Sequence, residues 1–197
     1  NPDGSSSLAG VQVTGAGLIV VDDVGPAPAS GYLDAAIAGS NSAVLAYDDT
    51  IFVLDGSFAA STPITDGVEL LSAVGTTGTT IDGTLALDAD GVIIGGMGTG
   101  FTINAPITVG AGVDAETLHI NWNDVYGIVT NEGVGWLDAT FNYWGEDGPA
   151  TVGLVDVDPF LPVTVDTLLG YMDEYGFHVM QAITFADLLL PGLPAGK

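Results

Sequence analysis

Residues 66–75 read DGVELLSAVG, residues 90–96 read DGVIIGG and residues 116–123 read ETLHINWN. Matching apolar triplets begin at Val68, Val92 and Leu118, and these starts lie 24 and 26 residues apart. Self-similarity with a period in the range of roughly 20–50 residues is the mark of a solenoid or stacked array. Other short runs fill the intervals: DTIFVLDG at 49–56, TTIDGTLAL at 79–87, YGIVTNEG at 126–133 and GWLDATFN at 135–142. Asp-Gly and Asn-Glu-Gly steps bound them and supply the backbone conformations that sharp corners require. A unit of this size cannot bury its apolar face alone, so each coil needs neighbours along the axis and the array needs capped ends.

Outside the repeats, Val11–Val21 reads as a strand, or two strands with a Gly break, after a flexible NPDGSSS arm. Tyr32–Ala38 (YLDAAIA) is the best short helix of the N-terminal half and is placed to cover the first coil. Helices are too few for a TIM barrel or a dinucleotide-binding α/β fold. The expected class is therefore all-β, a parallel β-helix, in three parts: residues 1–30 an N-terminal arm and strand, 31–160 the solenoid, and 161–197 a C-terminal cap or docking segment. Within that last part Asp166–Glu174 has the pattern of a helix, Thr184 and Asp187 have the spacing that opens a second short one, and alternation over Phe177–Phe185 equally suits a strand. The pattern leaves these open, and Phe177–Leu190 is apolar with Asp187 as its only charge. An open solenoid end exposes unpaired strand edges, so the segment reads as a lid on the last coil, or else it or the strand at Val11–Val21 docks on a neighbouring subunit by strand addition.

Charge narrows the partners. The chain of 197 residues holds 25 acidic side chains against a single basic one, Lys197, for a formal net charge of −24. Nothing is present to neutralise phosphates, which excludes nucleic acid and anionic membrane surfaces. No apolar run reaches the ~18 residues of a membrane span, so membrane insertion is not expected either. Cysteine is absent, so stability must come from packing or assembly. The start at Asn1 suggests a mature, exported form and an extracellular or cell-surface location.

The order of motifs resembles that of right-handed β-helix proteins of the pectate-lyase-like superfamily, particularly secreted and cell-surface repeats. YLDAAIA followed by DDTIFVLDGSF matches the opening helix and strand, through Asp49, Thr50, Ile51, Val53, Gly56 and Phe58. DGVELLSAVG, TTIDG and ADGVIIGG follow in the family's order, with Ala73 where glycine is frequent, and Asp138–Pro149 (DATFNYWGEDGP) matches its closing motif. The match covers residues 32–149. It implies the right-handed coil, and it also implies a test for catalysis. Lyases of this fold use an Arg or Lys base with calcium, and this chain has no Arg and only the terminal Lys197. Hydrolases of this fold use clustered Asp residues, but Asp22–Asp23 and Asp48–Asp49 are adjacent and point to opposite faces of a strand. The Gly-His-Gly and Arg-Ile-Lys elements that accompany them are missing. His119 and His178 read as structural. The chain is therefore expected not to be an enzyme.

Two sites remain open on sequence grounds. In DATFNYWGEDGP, Tyr143 and Trp144 have the chemistry to stack on a sugar and Glu146 with Asp147 to form a carboxylate pair. The same residues also suit a packed corner with an Asn side chain bonded to backbone. Asp88 with Asp90, and Asp156 with Asp158, have i, i+2 spacing, which puts both carboxylates on one face of a strand and with backbone carbonyls would suit calcium. Acidity of this degree equally suits a chain protonated in an acid habitat, a surface kept soluble in high salt, or a plain acidic surface. The functional expectation is a structural subunit of an extracellular filament, sheath or surface layer, a head-to-tail homopolymer joined through its ends. The alternatives are a polysaccharide-binding or polysaccharide-degrading β-helix and, more weakly, an adhesin passenger. A resident calcium ion stabilises the folded state by mass action, so chelation is expected to lower Tm, with calcium restoring it and magnesium at equal ionic strength failing to. Equal rescue by both ions would rule out a specific calcium site.

Overall fold

The computed structural model of the chain describes residues 6–8, 11–14, 18–21, 32–41 and 49–175. Three strands come first: β1 (Ser6–Leu8), β2 (Val11–Thr14) and β3 (Leu18–Val21). They form an antiparallel meander, and β3 then pairs in parallel with β4 (Asp49–Val53). Between β3 and β4 lies α1 (Tyr32–Ser40). From β4 onward the chain coils. The first coil is β4 and β5 (Gly56–Ala60); the second is β6 (Val68–Ser72), β7 (Thr79–Gly83) and β8 (Leu85–Leu87). The third is β9 (Ile93–Ile94), β10 (Thr102–Ile103) and β11 (Ile107–Val109), and the fourth β12 (His119–Ile120), β13 (Asp124–Val125) and β14 (Val129–Asn131). β15 (Leu137–Asp138) and β16 (Thr151–Val152) make the fifth, and β17 (Val155–Asp156) starts another turn. Strands of successive coils stack into one nine-stranded and two four-stranded sheets, a β-solenoid of about five turns.

The register explains the spacing in the sequence. Glu69 pairs with Ile93 and Ile93 with His119, so Val68, Val92 and Leu118 occupy the same place in three successive coils. Inward positions stack as rows: Ile51, Leu70, Ile94 and Ile120 on one sheet, and Phe58, Ile81, Ile103 and Val125 on the second. Every one of them is at most 1% exposed. Burying a side chain of this kind stabilises by about 1.5–3 kcal/mol, and in a stack each row is shared by both neighbours. Where the second sheet turns into the third, Ala60 pairs with Gly83. A Cβ on Gly83, whose φ is 91°, would come within 2.2 Å of the Ala60 carbonyl oxygen, so this corner admits only glycine.

Polar groups hold the opposite corner. Asn123 and Asn142 are both 0% exposed. The Asn142 carboxamide oxygen accepts from the Asn123 N–H at 2.8 Å, and the Asn142 Nδ2 donates to the carbonyls of Ala139 and Ile120. One coil earlier, Asn123 repeats this: its Oδ1 accepts from Phe101 N–H at 2.9 Å and its Nδ2 donates to Ile94 and Asn121 carbonyls. In the second coil Ser72 and Thr79 hydroxyls, 2.7 Å apart, take that place. The residues just before the two asparagines, Trp122 and Phe141, have φ of 61° and 58°. This left-handed conformation costs a non-glycine residue about 1–2 kcal/mol, and the buried amide network offsets it. Their rings stack at 5.3 Å with a 4° angle between planes.

The ends are closed differently. Helix α1 buries Leu33, Ala36 and Ile37 in the main core, and Asp34 accepts from the backbone of Ser61 and Thr62. The helix pattern at Asp166–Glu174 corresponds to α2 (Val165–Tyr175). It lies along the flank of the solenoid: Leu161, Val165, Leu168 and Met172 pack with Trp122, Phe141 and Tyr143. Asp166 reaches back to accept from Thr77 N–H in the second coil at 2.6 Å. Among the described residues nothing pairs with the far side of β16 or β17. The Phe177–Leu190 stretch lies outside the described residues.

Replacing Asn142 with Ala removes four buried hydrogen bonds and leaves their partners bare. A loss of about 3 kcal/mol is expected in urea unfolding, against less than about 1 kcal/mol for Asn104→Ala, whose bond to Asp82 is exposed. Equal costs for the two would refute the role of the corner network.

Candidate functional site

A groove of about 440 Å³ lies beside the fourth and fifth coils, lined by Val125, Tyr126, Gly127, Tyr143–Asp147, Gly148 and Ala150. The closing motif builds its floor. Tyr143 bridges to Asp124 in parallel register, so strand alternation turns Trp144 inward, next in the row after Val125. Trp144 is accordingly 4% exposed. Its place in the core leaves no free ring face, so of the two aromatics whose chemistry suits sugar stacking, Trp144 is unsuited by position. Its indole N–H has no hydrogen-bond partner among the described residues.

Tyr143 turns outward and is half-buried between α2 and the groove. Tyr126 packs edge-on against it, ring centroids 6.1 Å apart and planes at 82°, and stays 53% exposed. The sequence motifs alone do not single out Tyr126. A signal is present all the same: it follows the second sheet's inward Val125 just as Gly145 follows Trp144, which places it beside the closing motif. Burial, with the nearby carboxylate of Asp124 and the Tyr143 phenol, raises the Tyr126 pKa above its ordinary value, so at neutral pH the hydroxyl is a donor. Glu146 and Asp147 are exposed at the rim, in a loop shaped by positive φ at Gly145 and Gly148.

The four aspartates read as metal ligands fall in two places. Asp88 follows the end of β8, and Asp90 lies in the turn beyond it, where its Oδ1 accepts from Asp114 N–H at 2.8 Å. The pair is therefore not two positions on one strand face, because β8 ends at Leu87 and the chain bends over residues 89–91. Asp156 ends β17 and Asp158 lies past it, with the Asp156 Oδ1 accepting from the Asp158 N–H. All four are exposed. Among the described residues no group of three or more His, Asp or Glu side chains is arranged to hold a metal, so an ion at either pair would rest on two carboxylates, backbone carbonyls and water.

Other titratable groups are tied into the scaffold. His119 Nδ1 lies 2.9 Å from Asp138 Oδ2 on the outer face of the long sheet. Partial burial, the largest single influence, pushes the Asp138 carboxyl up, but bonds from His119, Thr140 and Asn121 together hold it below its ordinary value. Asp34 is likewise lowered: burial pushes it up, and bonds from Ser61 and Thr62 outweigh that. Asp124 is the opposite case. It is 4% exposed and accepts from Val165 N–H at the start of α2. Burial, with the neighbouring Asp166 charge, pushes its carboxyl above the ordinary value despite that bond.

No family model, no curated protein and no solved structure matches the chain. The fold and the site thus define the class at the level of the fold, a parallel β-solenoid with an aromatic and acidic groove on its flank.

The two kinds of carboxylate give opposite pH signs. A lowered folded pKa contributes stability that is present above the unfolded value and lost as pH falls through the folded one; a raised pKa penalises the ionised protein and the penalty disappears on acidification. Asp124→Asn keeps a carbonyl oxygen for Val165 while removing the buried charge. It is expected to hold or raise Tm at pH 7, with the difference from wild type closing as pH falls toward the ordinary carboxylate range. Thermal melts in which the variant is less stable at pH 7 and gains on wild type in acid would contradict this.

Proposed function

We propose that the protein is a non-enzymatic structural subunit that polymerises head to tail through the ends of its solenoid, in an extracellular filament, sheath or surface layer. We further infer a coil of the right-handed, pectate-lyase-like type, on the strength of the motif order from Tyr32 to Pro149 together with the parallel stacking of successive coils in three sheets. The observation that carries the assembly reading is the state of the last coil. Among the described residues β16 and β17 are terminal strands, and around them stand Val134, Trp136, Val152 and Leu154, exposed by 66, 56, 51 and 48%. A terminal strand edge next to exposed apolar side chains is a template for another chain unless something covers it.

Strand polarity supports a second copy as the cover. β1 and β17 are the two outermost strands of the nine-stranded sheet. β1 is antiparallel to β2 and β2 to β3, while every later pair in that sheet is parallel. Two reversals leave β1 running the same way as β17. Placing β17 of one subunit against β1 of the next therefore continues the sheet in parallel. Unlike surfaces that meet in this way give open polymers unless the rotation closes a ring. Subunits of charge −24 repel at a distance, so the contact should strengthen with salt or acid.

Trp136→Asp with Val152→Asp is expected to raise the concentration at which polymers form by at least about tenfold, ~1.4 kcal/mol per contact, while leaving the monomer's circular dichroism unchanged. Sedimentation and negative-stain microscopy read the outcome. A wild-type chain that stays monomeric at high concentration, in salt and at acid pH, or a double variant that polymerises like wild type, would overturn the proposal.

A further inference from the structure

Tyr126, Tyr143, Glu146 and Asp147 share one groove, and nothing in the assembly reading uses them. We propose that this groove binds a neutral pyranose, free or as a unit of a polysaccharide. Its volume, about 440 Å³, lies within the range of small-molecule pockets. The Tyr126 ring is 53% exposed, and the perpendicular Tyr143 ring at 6.1 Å fixes its plane. It is therefore an oriented aromatic face rather than a freely rotating one, and orienting it in advance reduces the cost of binding.

The polar groups decide the ligand class. The residues that line the groove carry acceptors and donors together: Glu146 and Asp147, both exposed, Tyr126 and Tyr143, and the glycines 127, 145 and 148. A pyranose has an apolar C–H face for the aromatic ring and a rim of hydroxyls that both donate and accept. Anionic ligands are disfavoured twice over. The rim carboxylates face them directly, and the whole chain contributes a field of net charge −24. This removes uronates, sulfated glycans and nucleotides. A simple cation would meet the carboxylates and the ring face, but it would use none of the donors.

The groove opens on the flank of the fourth and fifth coils, and its test is run on dilute monomer, so its result is separate from that of the assembly proposal. The full chain is titrated by calorimetry with cellohexaose, maltohexaose and mannohexaose, with trigalacturonate and tetramethylammonium as charged probes. Saturable binding of at least one neutral hexaose is expected, with none of trigalacturonate. Tyr126→Ala should weaken that binding about tenfold or more, Asp147→Asn with Glu146→Gln should weaken it severalfold, and Tyr126→Phe, which keeps the ring, should retain most of it. The side chains changed are exposed, so circular dichroism should be unaltered. Absence of binding to all three hexaoses, binding of tetramethylammonium alone, or hexaose binding indifferent to Tyr126→Ala would each overturn the assignment.

Discussion

The parallel hydrogen-bond ladder between coils is the constraint on which the rest depends. The coils satisfy their backbones through one another: Ile94 sits in register between Leu70 and Ile120, with the Gly95 N–H donating to the Leu70 carbonyl and the Asn121 N–H to the Ile94 carbonyl, and each inward side chain is buried by the same positions one turn away. A buried backbone N–H or C=O without a partner costs as much as a lost hydrogen bond. A solenoid can therefore be extended without strain but cannot simply stop, and its ends become its most consequential features. At the start α1 covers the core and the β1–β3 meander reverses strand direction twice. At the finish, among the described residues, β16 and β17 meet no further strand.

Corners fix the pitch of the ladder. Gly83 allows the backbone of one coil to touch Ala60 of the previous one, and the stacked asparagines 123 and 142 replace water for carbonyls turned inward at the sharpest bend. The amide network also fixes the left-handed residues Trp122 and Phe141, whose stacked rings form the surface on which α2 packs. The path from buried amide to backbone conformation to aromatic stack to helix docking is continuous. It explains how a chain lacking cysteine and nearly lacking cations holds a helix carrying Asp166 against its flank.

Much of this was legible in the residues. The recurrence of Val68, Val92 and Leu118 reports the stacking register directly, because inter-coil pairing requires equivalent residues at equivalent places. The helix at 32–40 was signalled by local pattern, while the one at 165–175 was among the alternatives that pattern left open. Three features were hidden because they depend on pairing between coils rather than on neighbours in sequence. Asp88 and Asp90 have strand spacing, yet the chain turns between them and the next strand. Trp144 has the chemistry of a binding residue, yet register turns it into the core. Tyr126 looks like an ordinary strand residue until the closing motif is stacked beside it.

Amide hydrogen exchange of the full chain as a function of concentration tests the account at its centre, because it reads directly whether another copy covers the edge at β16 and β17. In dilute solution the amides of Ile81, Ile103 and Val129, in the middle of the stack, should exchange only through global unfolding, and those of residues 151–156 should exchange much faster. On concentration in salt, protection of residues 151–156 should rise toward that of the central coils while the central amides stay as they were. Fast exchange at 151–156 that does not change with concentration would contradict the account, and so would central coils no better protected than the edge.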